Sequence, residues 1–324
     1  MNARLKPLRR LNACRTAALA FSFLLSVGCG TAQPERSSGK AAQTPRDSGS
    51  AESLLVNALL RQFADNNSQQ ALTFVSQAAG KAPDRVDIAW LHAQLCLQTR
   101  GCEPEPLLAR LGKLDPANGT AWLGALARAQ QQQDRAAEDQ ILEVLSRSKH
   151  FNIYWNTLVS RVAVAFSKEV AAGKADKLPD PLSRAVNQTV NWISGIALPT
   201  FEPLAESCTV TRMVRAEISQ RCARIAAALQ HSDSYVAEGM GLGIAQRIAT
   251  PGTPPAAKVA ERIGTARYQR DTAGQIIESQ VDRDKFTKEL LQLMASLPRE
   301  QDVFIAVMRW AGQPLEPSGN LPEP

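Results

Sequence analysis

From Glu52 onward, apolar residues recur at helical spacing. Leu54, Leu55, Ala58, Leu59 and Phe63 form a first stripe that breaks at Asp65-Asn66-Asn67. Ala71, Leu72, Val75 and Ala78 form a second that runs to Pro83. Residues three and four apart share one face of a helix, so each stripe predicts an amphipathic helix, and the polar turn between them predicts an antiparallel pair. A second pair is predicted over 86–113, with Trp90 on its first helix, Gly101 at its turn, and Pro104 and Pro106 shortening its second helix. A third follows Asp115-Pro116, with Trp122 on the first helix, Asp134 in the turn, and Ile141, Leu142 and Leu145 on the second. Trp155 opens a longer pair over roughly 153–172 and 181–198. Beyond Pro199 the spacing predicts helices over 212–229, 234–248, 255–278, 284–296 and 300–310. Turn-forming clusters separate them at His231-Ser232-Asp233, Pro251-Gly252-Thr253-Pro254-Pro255 and Leu297-Pro298. No stretch alternates with period two, so the predicted fold class is all-α. The proline-rich segment 313–324 reads as a disordered tail.

The tryptophans add a longer period. Ala89-Trp90-Leu91-His92-Ala93 is echoed by Ala121-Trp122-Leu123-Gly124-Ala125, and Trp90, Trp122 and Trp155 are separated by 32 and 33 residues. That interval is the length of a helical-hairpin repeat. With Pro83 at the end of the first pair, Ala71 and Ala78 fall on small helix-B positions, and Leu55 and Leu59 on helix-A core positions. In these residues the stretch 52–150 resembles the tetratricopeptide repeat. The third hairpin departs from the pattern, with Glu138 in place of the helix-B alanine and His150 in place of the closing proline, which predicts skewed packing there. The resemblance implies a superhelical scaffold that holds a protein segment in a groove, and it implies no enzyme activity. In that register Leu91 and Leu123 face inward, with Val56 equivalent in the first hairpin, and Leu95, Ala127, Gln98 and Gln130 continue the same faces. These seven are the expected partner-binding residues; the competing account is that they only pack a tight superhelix. The expected organisation is a repeat region over 51–198 and a C-terminal helical region over 199–312.

The N-terminal stretch changes the reading of charge and compartment. The chain of 324 residues carries a formal charge of +6, but Arg4, Lys6, Arg9, Arg10 and Arg15 stand in residues 1–29 without an acid, leaving about +1 elsewhere. No basic stripe remains to support nucleic-acid binding. A basic start, an apolar run from Ala17 to Val27 and a small-residue exit describe a secretory signal peptide. Leu25-Ser26-Val27-Gly28-Cys29 resembles the bacterial lipobox, although Ser26 stands where that family usually has leucine. The resemblance implies acylation of Cys29 and an anchor on the outer membrane; cleavage after Ala32, giving a soluble periplasmic protein, is the alternative. Residues 30–50 are rich in Ser, Gly, Pro and charged residues and read as a flexible tether. No segment has the 18 or so consecutive apolar residues that a membrane-spanning helix needs.

Export also gives the cysteines a role. Beyond the leader there are four, Cys96, Cys102, Cys208 and Cys222, an even number that suggests two disulfides in an oxidising compartment. Cys102 in a turn can reach back to Cys96. A continuous helix would hold Cys208 and Cys222 about 21 Å apart, whereas a disulfide needs Cα atoms about 5.5 Å apart. The chain is therefore predicted to reverse near Thr209-Val210-Thr211. Zinc is disfavoured because there is no C-x2-C pair and no histidine near two of the cysteines.

Chemistry is otherwise sparse. His92, His150 and His231 each have a structural reading, on an exposed helix face, at a helix end and before a cap. Ser146-Arg147-Ser148-Lys149 matches S-x-x-K and Ser232-Asp233-Ser234 resembles a broken S-D-N, but K-T-G is absent and Ser146 stands at the end of a helix. Gly239, Gly241 and Gly243 do not follow a strand, so close helix packing accounts for them better than a nucleotide cradle. No catalytic residues, metal or small-molecule cofactor are expected. The favoured function is a membrane-tethered periplasmic protein–protein interaction module whose partner is another envelope protein. The alternatives are an immunity-type lipoprotein that inhibits a toxic envelope-targeting enzyme, and a cryptic cell-envelope hydrolase.

Overall fold

A computed structural model describes residues 49–65, 67–172, 181–280 and 284–317. The predicted leader, Cys29 and nearly all of the tether lie outside these residues. Among the described residues the structure is all-helical: α1 Ala51–Asp65, α2 Ser68–Lys81, α3 Val86–Gln98, α4 Glu105–Leu114, a 3-10 turn Gly119–Trp122, α5 Leu123–Gln131, α6 Arg135–Leu145, α7 Trp155–Ala171 and α8 Pro181–Ala197. These are followed by α9 Glu202–Ser207, α10 Ala216–Gln230, α11 Tyr235–Ile248, α12 Pro254–Gln280, α13 Asp284–Ser296 and α14 Glu300–Trp310. No helix among the described residues is long and apolar enough to cross a membrane.

The polar positions of the sequence set the boundaries. Asn67, Asp134 and Ser234 each cap a helix by accepting an N–H three residues on, from Gln70, Ala137 and Ala237. Pro104 delays α4 until Glu105. Successive helices pack pairwise, α1 with α2, α2 with α3 and α3 with α4. Arg85 ties the first two pairs together, forking onto Asp87 at 2.5 and 2.6 Å and reaching Glu52 at 2.8 Å. Arg110 donates to the carbonyls of Ala79 and Pro83.

Hairpin three differs from the first two in how its first helix opens. Asn118 accepts from Thr120 N and Oγ1, and the first helix opens as a 3-10 turn. Each residue then advances by about 120° instead of 100°, which rotates Trp122 away from the core. Trp122 is 41% exposed, against 0% for Trp90 and 5% for Trp155. Trp122 therefore does not share the buried position of Trp90 and Trp155, and Leu126 faces inward instead.

The C-terminal helices form no separate body. α9 packs on α5, α10 on α6, and α13 on α7 and α8. One continuous core takes Leu126, Leu142 and Leu145 from hairpin three, Phe151 from the loop, Leu204 from α9, and Ile218, Ile225 and Ile244 from α10 and α11. The predicted helix start at Arg212 moves to Ala216, because residues 208–215 form consecutive turns in which Arg212 and Met213 both donate to the Thr209 carbonyl. The tail expectation is corrected in part: Gln313 donates to Met308 O, and Leu315 O accepts from Gln269 on α12. Residues 318–324 lie outside the described residues.

Candidate functional site

The face expected to hold a partner is covered by the chain itself. α1 packs on α7, α3 on α8 and α5 on α9, so three later helices line the inner sides of the three first helices. Val56, Leu91, Leu95 and Leu123 are each at most 3% exposed. Gln98 spends its amide on the carbonyls of Gly195 and Ile196 at the end of α8, and Trp90 Nε1 donates to Ala197 O. Gln130 donates to Pro203 O at 2.8 Å and Ser207 Oγ at 2.9 Å on α9, and also to Glu138. Ala127, half-buried, lies between Leu123 and Gln130 on the same helix. Of the seven expected partner-binding residues, Val56, Leu91, Leu95 and Leu123 pack internally, whereas Gln98 is exposed and Ala127 and Gln130 are half-buried, with both amides bonded to later helices of this chain.

Both cysteine pairs are disulfides. Gly101, with a φ of +80°, turns the chain so that Cys102 returns to Cys96, Cα to Cα 5.3 Å. Cys208 and Cys222 are 5.8 Å apart across the reversal, and both are fully buried in the core. Among the described residues no three metal-ligating side chains come together.

Glu138 is a buried acid. It accepts from Arg212, Arg135, Ser207 and Gln130. Burial alone would raise its pKa, but these donors outweigh it and hold the carboxyl at about 2. Arg212 thereby fastens the 208–215 turn to α6, aided by Asp139, which pairs with both Arg212 and Arg215.

A second polar junction, which the sequence reading missed, joins four chain segments. Asp233 accepts from the backbone of Ile153 and Tyr154 at 2.6 to 3.1 Å, and Ser232 Oγ accepts from Phe151 N. Asp233 O accepts from Glu300 N, and Glu300 caps α11 by accepting from Tyr235 N. On the other side, Asn118 Nδ2 donates to Asn152 O and Tyr154 Oη, and Tyr154 Oη and His150 Nε2 meet Asp115 at 2.6 and 3.0 Å. Tyr154 takes a φ of +58°, held by Asp233 on its N–H. Burial pushes Asp233 up to about 6 against its backbone donors, and burial with the neighbouring Asp233 charge pushes Glu300 up to about 7.

Its residue types, carboxylate, imidazole and phenol, are those of acid–base catalysis, but the bonding is structural. Burial and Asp115 hold the Tyr154 phenol protonated, well above its ordinary pKa. The Ser232 hydroxyl is committed twice, accepting from Phe151 N and donating its one proton to Ala228 O rather than to a base. Ser146, the serine of the S-x-x-K match, donates to Glu143 O at the end of α6. His92, expected on an exposed face, is 9% exposed, with its pKa lowered by burial and by the charge of Arg110.

Compared with models of known protein families, with curated proteins and with solved structures, the chain has no match.

Proposed function

We propose that this protein is a membrane-tethered binding module of the bacterial cell envelope, a tetratricopeptide-like scaffold that acts by holding another envelope protein rather than by catalysis. The observation that carries the reading is the turn closed by Cys208 and Cys222. Val210 and Val214 on this turn are 63% and 83% exposed, although the turn is covalently closed and its Arg212 is bound to the buried Glu138. A rigid turn bearing exposed apolar side chains loses little conformational entropy on contact, and burying the two valines favours association. The disulfides fit an oxidising compartment, and the lipobox-like stretch ending at Cys29 supplies the tether. The turn takes the place of the inner face, whose four apolar residues Val56, Leu91, Leu95 and Leu123 are buried.

A photo-crosslinking residue at position 214, in cells expressing the full-length protein, should give one discrete adduct that Val210→Asp removes. The same residue at exposed Lys258 on α12 should give none. Equal adducts at both positions, or none at 214, would remove the turn as the contact surface. Anchoring is tested separately by metabolic acyl labelling of Cys29→Ala: continued labelling and membrane retention would eliminate the lipid anchor.

A further inference from the structure

Along the C-terminal half of α7, two helices leave a cleft. It has a volume of 660 Å³, within the range of small-molecule sites, and lies between α7 and α13, with Leu182 of α8 and the start of α1 also lining it. Its walls are two matching helical stripes. Arg161, Val164, Ala165 and Lys168 stand at spacings of three, four and seven on α7, and Lys288, Leu291, Gln292 and Ala295 stand at the same spacings on α13. Each stripe thus sets a cation beside apolar positions on one helix face.

The charges are unequal in their commitments. Of the two acids on the rim, Glu52 is bonded to Arg85, and Glu169 accepts from Ser53. Burial would raise Glu52, but Arg85 and the nearby Arg161 charge hold it below its ordinary pKa, so it stays ionised. Lys168 and Lys288 make no ion pair among the described residues, and both are exposed. Val164 is 38% exposed toward the cleft, while Leu182 and Leu291 form an apolar floor at 8% and 4% exposure. An isolated anion would be served by the lysines but gain nothing from the floor. A neutral apolar ligand would be served by the floor but leave the lysines unused.

We infer that this cleft binds a single-chain amphiphile with an anionic head, its aliphatic chain on Val164, Leu182 and Leu291 and its carboxylate or phosphate at Lys168 and Lys288. The inference is independent of the partner-binding reading, since it uses neither the 208–215 turn nor the leader.

The test is titration of the full-length protein with dodecanoate, dodecyl phosphate, dodecanol and inorganic phosphate, each below its micelle concentration, by calorimetry. Both anionic amphiphiles should bind saturably at one site, with dodecanol at least tenfold weaker and inorganic phosphate not competing. Affinity in an alkyl phosphate series should rise up to about fourfold per added methylene. The exposed double variant Lys168→Glu/Lys288→Glu should lose at least tenfold for both anions with melting temperature unchanged, and Val164→Asp should lose a similar factor. The tighter of the two heads assigns the source, a free fatty acid or a lysophospholipid. Equal binding of dodecanol, full competition by inorganic phosphate, or wild-type affinity in the lysine variant would each overturn the inference.

Discussion

Asp233 holds the 150–154 loop, the start of α11 and the start of α14 together, the loop through its buried carboxyl group and α14 through its backbone carbonyl. Its pKa, about 6 where an ordinary aspartate has 3.8, means that the folded chain keeps a proton the unfolded chain has already lost. The stabilisation is complete below pH 4 or so and is lost as pH rises through about 6; Glu300 adds the same sign through about 7. Asp233→Asn removes the titration. The stability of the native protein relative to this variant should therefore fall by roughly 3 kcal/mol between pH 4 and pH 7 in urea melts. His92, whose lowered pKa has the opposite sign, is common to both proteins and cancels in the difference. Glu138 behaves inversely: its depressed carboxyl contributes above about pH 4.5 and loses that contribution as pH falls toward 2. Glu138→Gln leaves Arg212 without its buried partner and should cost about 3 kcal/mol at pH 7. That Ser232-Asp233-Ser234 is a turn with capping residues is legible in the sequence, as a polar break before an apolar stripe. Its acceptance of N–H groups some 80 positions away is not, because no local pattern encodes which distant backbone needs an acceptor.

At the scale of elements, the Gly239, Gly241 and Gly243 series separates backbone approach from mere tolerance. A Cβ on Gly241 would lie 2.7 Å from the Ala226 carbonyl oxygen and 2.8 Å from Leu229 Cβ, so α10 and α11 touch there backbone to backbone. Positions 239 and 243 have nothing within 4 Å. Gly241→Ala should destabilise by about 1–3 kcal/mol, whereas Gly239→Ala and Gly243→Ala should be neutral or stabilising by up to about 1 kcal/mol. Thermal melts of the three single variants check the contrast. At Gly119 it is a side chain that comes close, the Phe151 ring leaving no room for a Cβ. Helix existence was readable nearly everywhere, and α13 and α14 match their predicted ranges because Pro298 and the stripes bracket them. The 3-10 opening of hairpin three was not readable, since Trp122 sits at the repeat interval and only the bonding of Asn118 rotates it outward. The α10 start was misplaced for a related reason: Arg212 has good helix propensity, but its side chain is bound to Glu138 and its backbone to a turn.

For the whole molecule, the cross-links and the covered inner face decide what can move. On a chain-entropy basis Cys208→Ser/Cys222→Ser should lower stability by about 3 kcal/mol and Cys96→Ser/Cys102→Ser by about 2 kcal/mol, each measured against the oxidised protein in denaturant. The even cysteine count and the need for a reversal made both pairings legible; the occupant of the inner face was not, because the amphipathic stripes of α7 and α8 do not specify which surface they cover. An open stack of hairpins can gain or lose a unit, since each touches only its neighbours. Here α7 packs chiefly on α1, α8 on α3 and α9 on α5, with lesser contacts of α7 on α3 and α8 on α1, as a key meets the wards of a lock. Inserting or deleting a single hairpin would throw all three matches out of register at once. The number of helix pairs is therefore a property of the entire chain, and this protein can vary in its surface far more readily than in its length.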